Sequence, residues 1–504
     1  MKIQNVKTIQ ETFQKMSDIV TPTMGAKGQL AVIQDEFSRP VLTDDGVTVA
    51  KECMHFGDEF ERMIAMSMIE AAHNTEKRAF DGTTLTVLLT NEFYKDGLRL
   101  IKKGKHPQEA SEIINSQINQ ALKELKTMKL DISDDKMVRD IANITTKIPA
   151  IGELVAQAYK HAGKNMNVVI EHDRKHPESS IENVDGMVID SGYFSDELRN
   201  LCNDEGKWEA ENARILLLSE GLLTKVGIEA LFNSIEDLNT PLVFCIPRSF
   251  NPDALHILLD NLAQNKLRFM IVLINDSEPN EIFLDIAART NGKIQSGTIG
   301  TTDYTLDYAG TAEKVIIEQD KTTIICTGNK KEIDKRVKVY LKELEDKEFN
   351  TGIIRADVIN RRLANLTSGI TKIKISAQTI TEYMTIKLKL DDAIGAVRCA
   401  CKDGVLLGGG KALYLLSLNN SYKAIKNSLQ KPCLTIIANA GLHKPKRCIL
   451  EDKKLGLDVK TNTIKNLKDY GIIDSFTSID TAIRNAQSIA CNYLKAYILI
   501  NKTA

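Results

Sequence analysis

The residues Asp81-Gly82-Thr83-Thr84 stand directly before the apolar run LTVLLT, so an acid, a glycine and two hydroxyls occupy the start of a predicted helix. The first N–H groups of a helix lack internal partners, and the helix dipole leaves partial positive charge there. Such a turn can hold a phosphate, with Gly82 admitting a ligand to the backbone and Asp81 holding a divalent cation against phosphate oxygens. Asp is also a favoured N-cap, so a plain capping role for Asp81 stands beside this reading. Two further glycine turns pose the same choice. TPTMGAKGQL carries Gly25 and Gly28 around Lys27, and GVLLGGGKAL carries Gly408-Gly409-Gly410 before Lys411. The latter misses the P-loop pattern, because Val405 stands for its first glycine and Ala412 for its Ser/Thr. GxxxxGK[ST] occurs nowhere in the chain, which argues against an ordinary P-loop NTPase.

Two acid pairs could orient and deprotonate an attacking water: Asp44-Asp45 in a predicted hairpin, and Asp391-Asp392, read as opening a helix. On their own, such pairs usually read as solvated caps. His172 and His176 have i,i+4 spacing, but they follow a predicted strand and precede Pro177, so a turn suits them better than helical metal ligation. The nine cysteines are scattered, and the close pair Cys399 and Cys401 fits neither a zinc knuckle nor a redox CxxC. A reduced, cytoplasmic-type compartment follows as the expectation.

The elements that must position these residues change character along the chain. Residues 6–130 read as mostly helical; FERMIAMSMIEAAHNTEKRAF carries a stripe at Phe60, Ile64, Met68 and Ala71 or Ala72. QLAVIQDEFSRPVLTDDGVTVA interrupts it as a hairpin. In the middle, NVVIEHD, ARILLLSE, PLVFCIP, LRFMIVLIND and TTIICTG alternate with helical patterns such as KVGIEALFNSIEDL and DALHILLDNLAQNK, predicting an α/β unit on a partly parallel sheet. From about residue 390 the pattern is helical again. With 504 residues, two or three domains are expected, and a helical domain whose halves flank an insertion suits the order best. Lys+Arg and Asp+Glu nearly cancel, 66 against 67, so no basic excess points to nucleic acid. The longest apolar run, such as FMIVLI, suits a buried strand rather than a membrane span, and the N-terminal segment has no signal-peptide h-region.

Taken in order, TMGAKGQLAVIQDEFSRPVLTDDGVTVAKE, DGTT, LDDAIGAVRCACKDGVLLGGGKAL and DYGIID resemble the GroEL-type group I chaperonins. IGELVAQAYKHAGKNMNVVIEHD, DGMVIDSGYFS, TTIICTG and RRLANLTSGI fit as well, and the resemblance covers essentially the whole chain. It implies a multi-domain α+β fold. A helical equatorial ATPase domain would span 1–128 and 403–504, a split intermediate hinge domain 129–185 and 371–402, and an inserted α/β apical domain 186–370. It implies an ATPase that refolds non-native proteins in the cavity of a homo-oligomeric ring, using ATP, Mg2+ and K+. Thr23, Met24 and Gly25 resemble the first phosphate loop. Asp81 resembles the magnesium ligand, and Gly82, Thr83 and Thr84 the phosphate donors. Asp392 resembles the water-positioning carboxylate and Asp45 a second acid near the γ-phosphate, while Gly409, Ile473 and Asp474 resemble the nucleoside site. Tyr193, Phe194, Leu198, Ile228, Leu231, Phe232, Leu255 and Leu259 resemble the apolar client-binding surface, and Gly186 and Gly369 the apical hinge.

The chain also departs from that pattern. Asp44 stands where the family usually has Lys, so a phosphate-neutralising charge is replaced by its opposite and weaker nucleotide affinity is expected. Leu85 replaces a third Thr, and Ala26 a Pro. Glu197 and Asp260 put charge on the client surface, the segment INDSEPNEIF is shorter than usual, and YLKAYILINKTA lacks the Gly-Met-rich tail. Such divergence would suit a virus-encoded copy acting in a host cytoplasm, with or without a co-chaperonin. Two functions remain in view: an ATP-driven chaperonin, or a holdase or scaffold that kept the fold and lost turnover. A nucleotide-binding metabolic enzyme is disfavoured, because no GxGxxG motif occurs.

Overall fold

The computed structural model describes residues 2–5, 7–34, 40–53, 57–163, 166–173, 176–194, 196–203, 206–219, 235, 239–247, 268–274, 279–295, 305–345, 358–359, 362–363, 365–367, 369–443, 445 and 447–501. Its contacts divide the chain into two compact units, one of Met1–Lys160 with Gln378–Ala504, the other of His161–Ala377. The segments expected to form a separate intermediate domain fall partly in each.

The first unit is built around the helix Thr83–Lys102. From Thr86 to Tyr94 every residue is buried, as in a helix surrounded on all sides. The helices Lys7–Val20, Glu59–Ala79, Pro107–Thr127 and Phe476–Leu494 contribute to the same core. Gly97 brings the last of these close, since a Cβ there would lie 2.3 Å from Leu494. Phe13 sets its ring edge-on to Tyr94 and Tyr493, with centroids 5.1 and 5.3 Å away. The stripe expected for Glu59–Ala79 is buried at Phe60, Ile64, Met68, Ala71 and Ala72, and a capping box of Asp58 and Glu61 starts the helix. The strands Lys2–Asn5 and Ile498–Asn501 pair antiparallel, tying the two ends of the chain together.

Two local expectations change. The hairpin forms from Ala31–Gln34 and Pro40–Thr43, but GVTVAKE, read as its continuation, is a helix over Gly46–Glu52. The Asp45 carboxylate accepts from the N–H groups of Val47 and Thr48, and this cap outweighs the β preference of the two valines and Thr48. Asp391-Asp392 does not open a helix either. The helix runs Ile380–Asp403 with Thr379 as N-cap, so Asp392 sits in its middle.

In the second unit the sheet runs Gly186–Ile189, Thr322–Ile325, Gly310–Ile317, Trp208–Leu218, Leu242–Pro247, Phe269–Ile274, with Ile294–Gln295 also on Trp208–Leu218. Trp208–Leu218, Leu242–Pro247 and Phe269–Ile274 are parallel neighbours; Gly310–Ile317 and Thr322–Ile325 add antiparallel pairings. The strands Leu242–Pro247 and Phe269–Ile274 are almost wholly buried, as both-face burial of a parallel sheet requires. NVVIEHD belongs elsewhere, in a three-stranded sheet of Val168–Asp173, Ile370–Ser376 and Ser180–Val184. Gly186 and Gly369 stand where the chain passes between these two sheets. A Cβ on Gly186 would lie 2.4 Å from Ile370 and 2.5 Å from the Ile324 carbonyl, and Gly369 has φ +63°.

Part of the expected client surface is interior. Tyr193 is 8% exposed, Leu198 is fully buried, and Phe194 is half-buried against the same core. The cause is backbone pairing: the Phe194 N–H donates to the Ile271 carbonyl at 3.0 Å, and the Leu273 N–H to Gly192 at 3.1 Å. This zips the segment onto the Phe269–Ile274 strand and turns its side chains inward. Ile228, Leu231, Phe232, Leu255 and Leu259 lie outside the described residues, as do the two helical patterns that carry them apart from Ile235. Leu198→Ala should therefore destabilise this unit by about 2–5 kcal/mol. Hydrogen exchange along Trp208–Leu218 would register the loss; weakened client binding with unchanged protection would return Leu198 to a surface role.

Candidate functional site

Within the first unit, a cavity of about 480 Å³ collects nearly all the residues expected at a nucleotide site. Thr23, Met24, Gly25, Asp45, Asp81, Gly82, Thr83, Thr84, Asp392, Gly409 and Asp474 all line it. Ile473 does not; it is fully buried in the strand Ile473–Ser475, facing away, while its neighbours Ile472 and Asp474 line the cavity. Strand alternation explains the difference.

The DGTT turn resolves its two readings against simple capping. Gly82, not Asp81, is the N-cap of Thr83–Lys102; it has φ +92°, and no side chain caps the helix. The Asp81 carboxylate instead accepts the Gly82 N–H at 2.7 Å. Beside the turn, Thr23 Oγ1 lies 3.4 Å from Thr84 Oγ1 and donates to the Val20 carbonyl at 2.9 Å. The Asn439 side chain donates to the carbonyls of Thr21 and Met24 at 2.8 and 3.0 Å, holding the TPTMG loop in place. Nothing in the local sequence around Asn439 marks it for that task.

Glycines draw the separate elements together. A Cβ on Gly46 would lie 2.2 Å from Thr84 Oγ1, so the Asp45 turn sits directly against the DGTT turn. A Cβ on Gly408 would lie 3.0 Å from the Asp474 carboxylate. On the helix Ile380–Asp403, a Cβ on Gly395 would lie 2.1 Å from the Phe80 ring. Phe80 is a left-handed residue at φ 58°, next to Asp81, and Gly395 is one turn beyond Asp392. This contact sets the two carboxylates relative to each other. Lys411 is not a phosphate lysine. It is buried, and its Nζ donates to the carbonyls of Ile449 and Leu450 at 2.8 and 2.9 Å. Pro432, Cys433, Ile436, Ile437, Leu450 and Val459 supply an apolar wall, suited to a flat heterocycle.

The model of the TCP-1/cpn60 chaperonin family matches residues 16–502. The chain belongs to that family. Among solved structures, this chaperonin is similar to gp146, the chaperonin from the bacteriophage EL 2 (Pseudomonas aeruginosa), in two crystal forms obtained in the presence of ATP-BeFx. Form II superposes with a TM-score of 0.75 at 19% identity, covering 100% of this chain and 99% of that one. Form I gives 0.68 at 20% identity, covering 99% and 98%. The shared fold is thus the chaperonin fold.

The electrostatics of the chaperonin's cavity are dominated by acids. Burial, reinforced by Glu76, Asp45 and Asp81, pushes the Asp392 carboxyl up to about 7. Burial, with Asp81 nearby, pushes Asp474 up to about 7 as well. Asp81 and Glu76 are raised chiefly by burial. Glu76, Lys147 and Lys389 line the same cavity and carried no motif in the sequence. Among the described residues no three His, Cys, Asp or Glu side chains form a ready metal cage. Asp81 nonetheless fits a magnesium ion, which needs only one or two carboxylates when phosphate oxygens complete its shell. His172 and His176 are engaged separately, His172 near the Ala377 carbonyl and His176 with Asp173, so they form no metal pair. Among the described residues no helix is long and apolar enough to cross a membrane.

Two predictions follow from this geometry. Gly395→Ala should force the Phe80 ring aside at a cost of about 1–3 kcal/mol and weaken nucleotide affinity with it. Thermal unfolding and nucleotide titration would check this, and no change in either would mean that the ring yields freely. The second concerns pH. Between about pH 4 and 7 the folded chain keeps protons on Asp392 and Asp474 that the unfolded chain has released, so stability falls as pH rises through that window. Asp392→Asn should accordingly raise the thermal midpoint of the nucleotide-free, chelator-treated protein at about pH 8, and the gain should vanish near pH 4. An equal midpoint for variant and wild type at the higher pH would show that the charge carries no strain.

Proposed function

We propose that this chaperonin hydrolyses ATP in the first unit and uses the cycle to bind and release non-native proteins. The observation that carries the reading is the single cavity lined by the uncapped Thr83–Lys102 helix start, by Asp81 and by Asp392. The N–H groups that open the Thr83–Lys102 helix and the hydroxyls of Thr83 and Thr84 bind phosphate oxygens. Asp81 holds Mg2+, which neutralises phosphate charge when bound. Met24, Gly25 and Gly409 approach the nucleotide by backbone, and Asp474 accepts hydrogen bonds from the sugar. Water attacks the γ-phosphorus, the bond to the β,γ-bridging oxygen breaks, and the water proton passes to Asp392. A carboxyl held near 7 suits that duty at neutral pH, where a general base works best. Asp45 is tied to its own helix as a cap and supplies fixed negative charge rather than a mobile base.

The three-domain division, K+ dependence, a homo-oligomeric ring, an optional co-chaperonin and a cytoplasmic setting belong to the same proposal and are supported by membership of the family. Gly186 and Gly369, between the two sheets of the second unit, are the proposed hinge points, where glycine absorbs large backbone changes. The holdase alternative rests on Asp44 and on the altered apical surface, and the lysines facing Asp44 weaken the first of these motives.

Asp392→Ala should lower magnesium-dependent ATP turnover by roughly 10²–10⁴ while leaving ATP binding nearly intact. Steady-state phosphate release alongside a binding titration checks this. Unchanged turnover would remove Asp392 from the mechanism, and a wild type that holds unfolded protein without turnover would favour the holdase.

A further inference from the structure

The acid that replaces the family's lysine is paired. Asp44 Oδ2 accepts from Lys147 Nζ at 2.8 Å, and its Oδ1 lies 3.5 Å from Lys389 Nζ. All three residues line the cavity, and each side chain keeps about a quarter to a third of its surface exposed, at 26%, 31% and 28%. Lys147 ends the helix Asp135–Thr146 in a left-handed conformation at φ 60°. Lys389 precedes Asp392 by one turn on the helix Ile380–Asp403. The other lysines lining the cavity are Lys411, committed to two carbonyls, and Lys460, which is exposed and follows Asp458 and Val459.

A nucleoside triphosphate brings up to four negative charges into a space already lined by Asp45, Glu76, Asp81 and Asp392. A divalent cation offsets two of them. The remaining excess needs cations that are local, half-solvated and able to reorient, and Lys147 and Lys389 meet all three conditions. Long lysine stems allow the ammonium groups to swing between acceptors without backbone movement. A carboxylate that holds both ammonium groups in the ligand-free protein keeps them in the cavity and lets a more highly charged acceptor take them.

We propose that Lys147 and Lys389 bind the terminal phosphate of the triphosphate, and that Asp44 is their resident counter-ion, which releases them when that phosphate arrives. The proposal rests on the ATP-site reading above. It makes the pair a triphosphate-sensing device: a diphosphate leaves both lysines on Asp44. Asp44 thereby links the hairpin turn to two helices before the triphosphate binds and frees them afterwards, in step with the nucleotide state.

The test compares Mg2+ with a non-hydrolysable β,γ-imido analogue of ATP against Mg2+ with ADP, by calorimetric titration of the full chain. Lys147→Met and Lys389→Met should each weaken the triphosphate analogue about tenfold or more, as loss of a charge-assisted contact does, and leave ADP within about twofold. Lys147→Arg should restore most of the discrimination. Asp44→Asn should act in the opposite sense, tightening the triphosphate a few-fold without moving ADP. An ion pair that merely braces the fold predicts something else: the two methionine variants and Asp44→Asn would shift both nucleotides together, or Asp44→Asn would weaken the triphosphate as the methionine variants do. Either result overturns the proposal while leaving the ATP site standing. A wild-type protein that binds neither nucleotide would overturn both.

Discussion

Burial of several carboxylates in one cavity, sharpened by their mutual repulsion, is the constraint on which the rest of the first unit depends. Asp392 feels Glu76, Asp45 and Asp81, and Asp474 feels Asp81. Asp392 and Asp474 therefore keep their protons to higher pH than ordinary carboxylates do. Burial disfavours the ionised forms of Asp392, Asp474, Asp81 and Glu76, which is a cost to the fold. A ligand that carries cations relieves that cost, and the relief is binding energy available to move the elements that present the acids. The acids come from different parts of the chain: a hairpin turn, the end of Glu59–Ala79, the turn before Thr83–Lys102, and the middle of Ile380–Asp403. A change in cavity charge is therefore felt by several elements at once.

Close backbone approach is what allows those elements to meet. The Gly46–Thr84, Gly395–Phe80 and Gly408–Asp474 contacts each leave no room for a Cβ. None is a loop glycine chosen for flexibility; at these positions the missing side chain is the function. Gly82 is the exception, where φ +92° is required so that the helix can begin without a side-chain cap. Around them the all-round burial of Thr86–Tyr94 in the helix Thr83–Lys102 supplies rigidity, since a helix segment packed on every face cannot tilt to accommodate a misplaced turn.

Much of this was legible from residue patterns, and the failures have identifiable causes. The helical stripe at Phe60, Ile64 and Met68 and the strands PLVFCIP and FMIVLI declare themselves by period and run length. GVTVAKE misleads because the Asp45 cap is a two-residue feature that overrides the β-branched residues following it. Asp81 misleads in the opposite way: Asp is a common cap, but capping needs particular backbone angles, and a left-handed Gly82 takes that position instead. Tyr193 and Leu198 misplace because family resemblance transfers residue type, whereas exposure depends on whether the segment zips onto the neighbouring strand. Asn439 and Lys147 lie far in sequence from the turns they serve, and only tertiary packing brings them there; Glu76 and Lys389 stand close to Asp81 and Asp392 but belong to no motif.

The case of Asp44 shows why a single departure from a family pattern is weak evidence about affinity. Considered by position, it reverses a charge that should help bind phosphate. Considered in space, the reversal is matched by two lysines from two different helices, both within ion-pairing distance of it. Those lysines hold the Asp44 carboxyl below the usual carboxylate range even though its partial burial acts the other way. The local sum is thus one acid and two bases. What a triphosphate meets is that sum, since Coulombic interactions over a few ångströms in a low-dielectric cavity depend on where charges end up and not on which element carries them. A charge moved from a hairpin to two helices also gains something that a fixed hairpin lysine lacks: its position depends on how Asp135–Thr146 and Ile380–Asp403 stand relative to the hairpin. On the proposed function, binding of the phosphate and arrangement of the helices would be coupled through the same three side chains, which is the coupling that a nucleotide-driven machine requires.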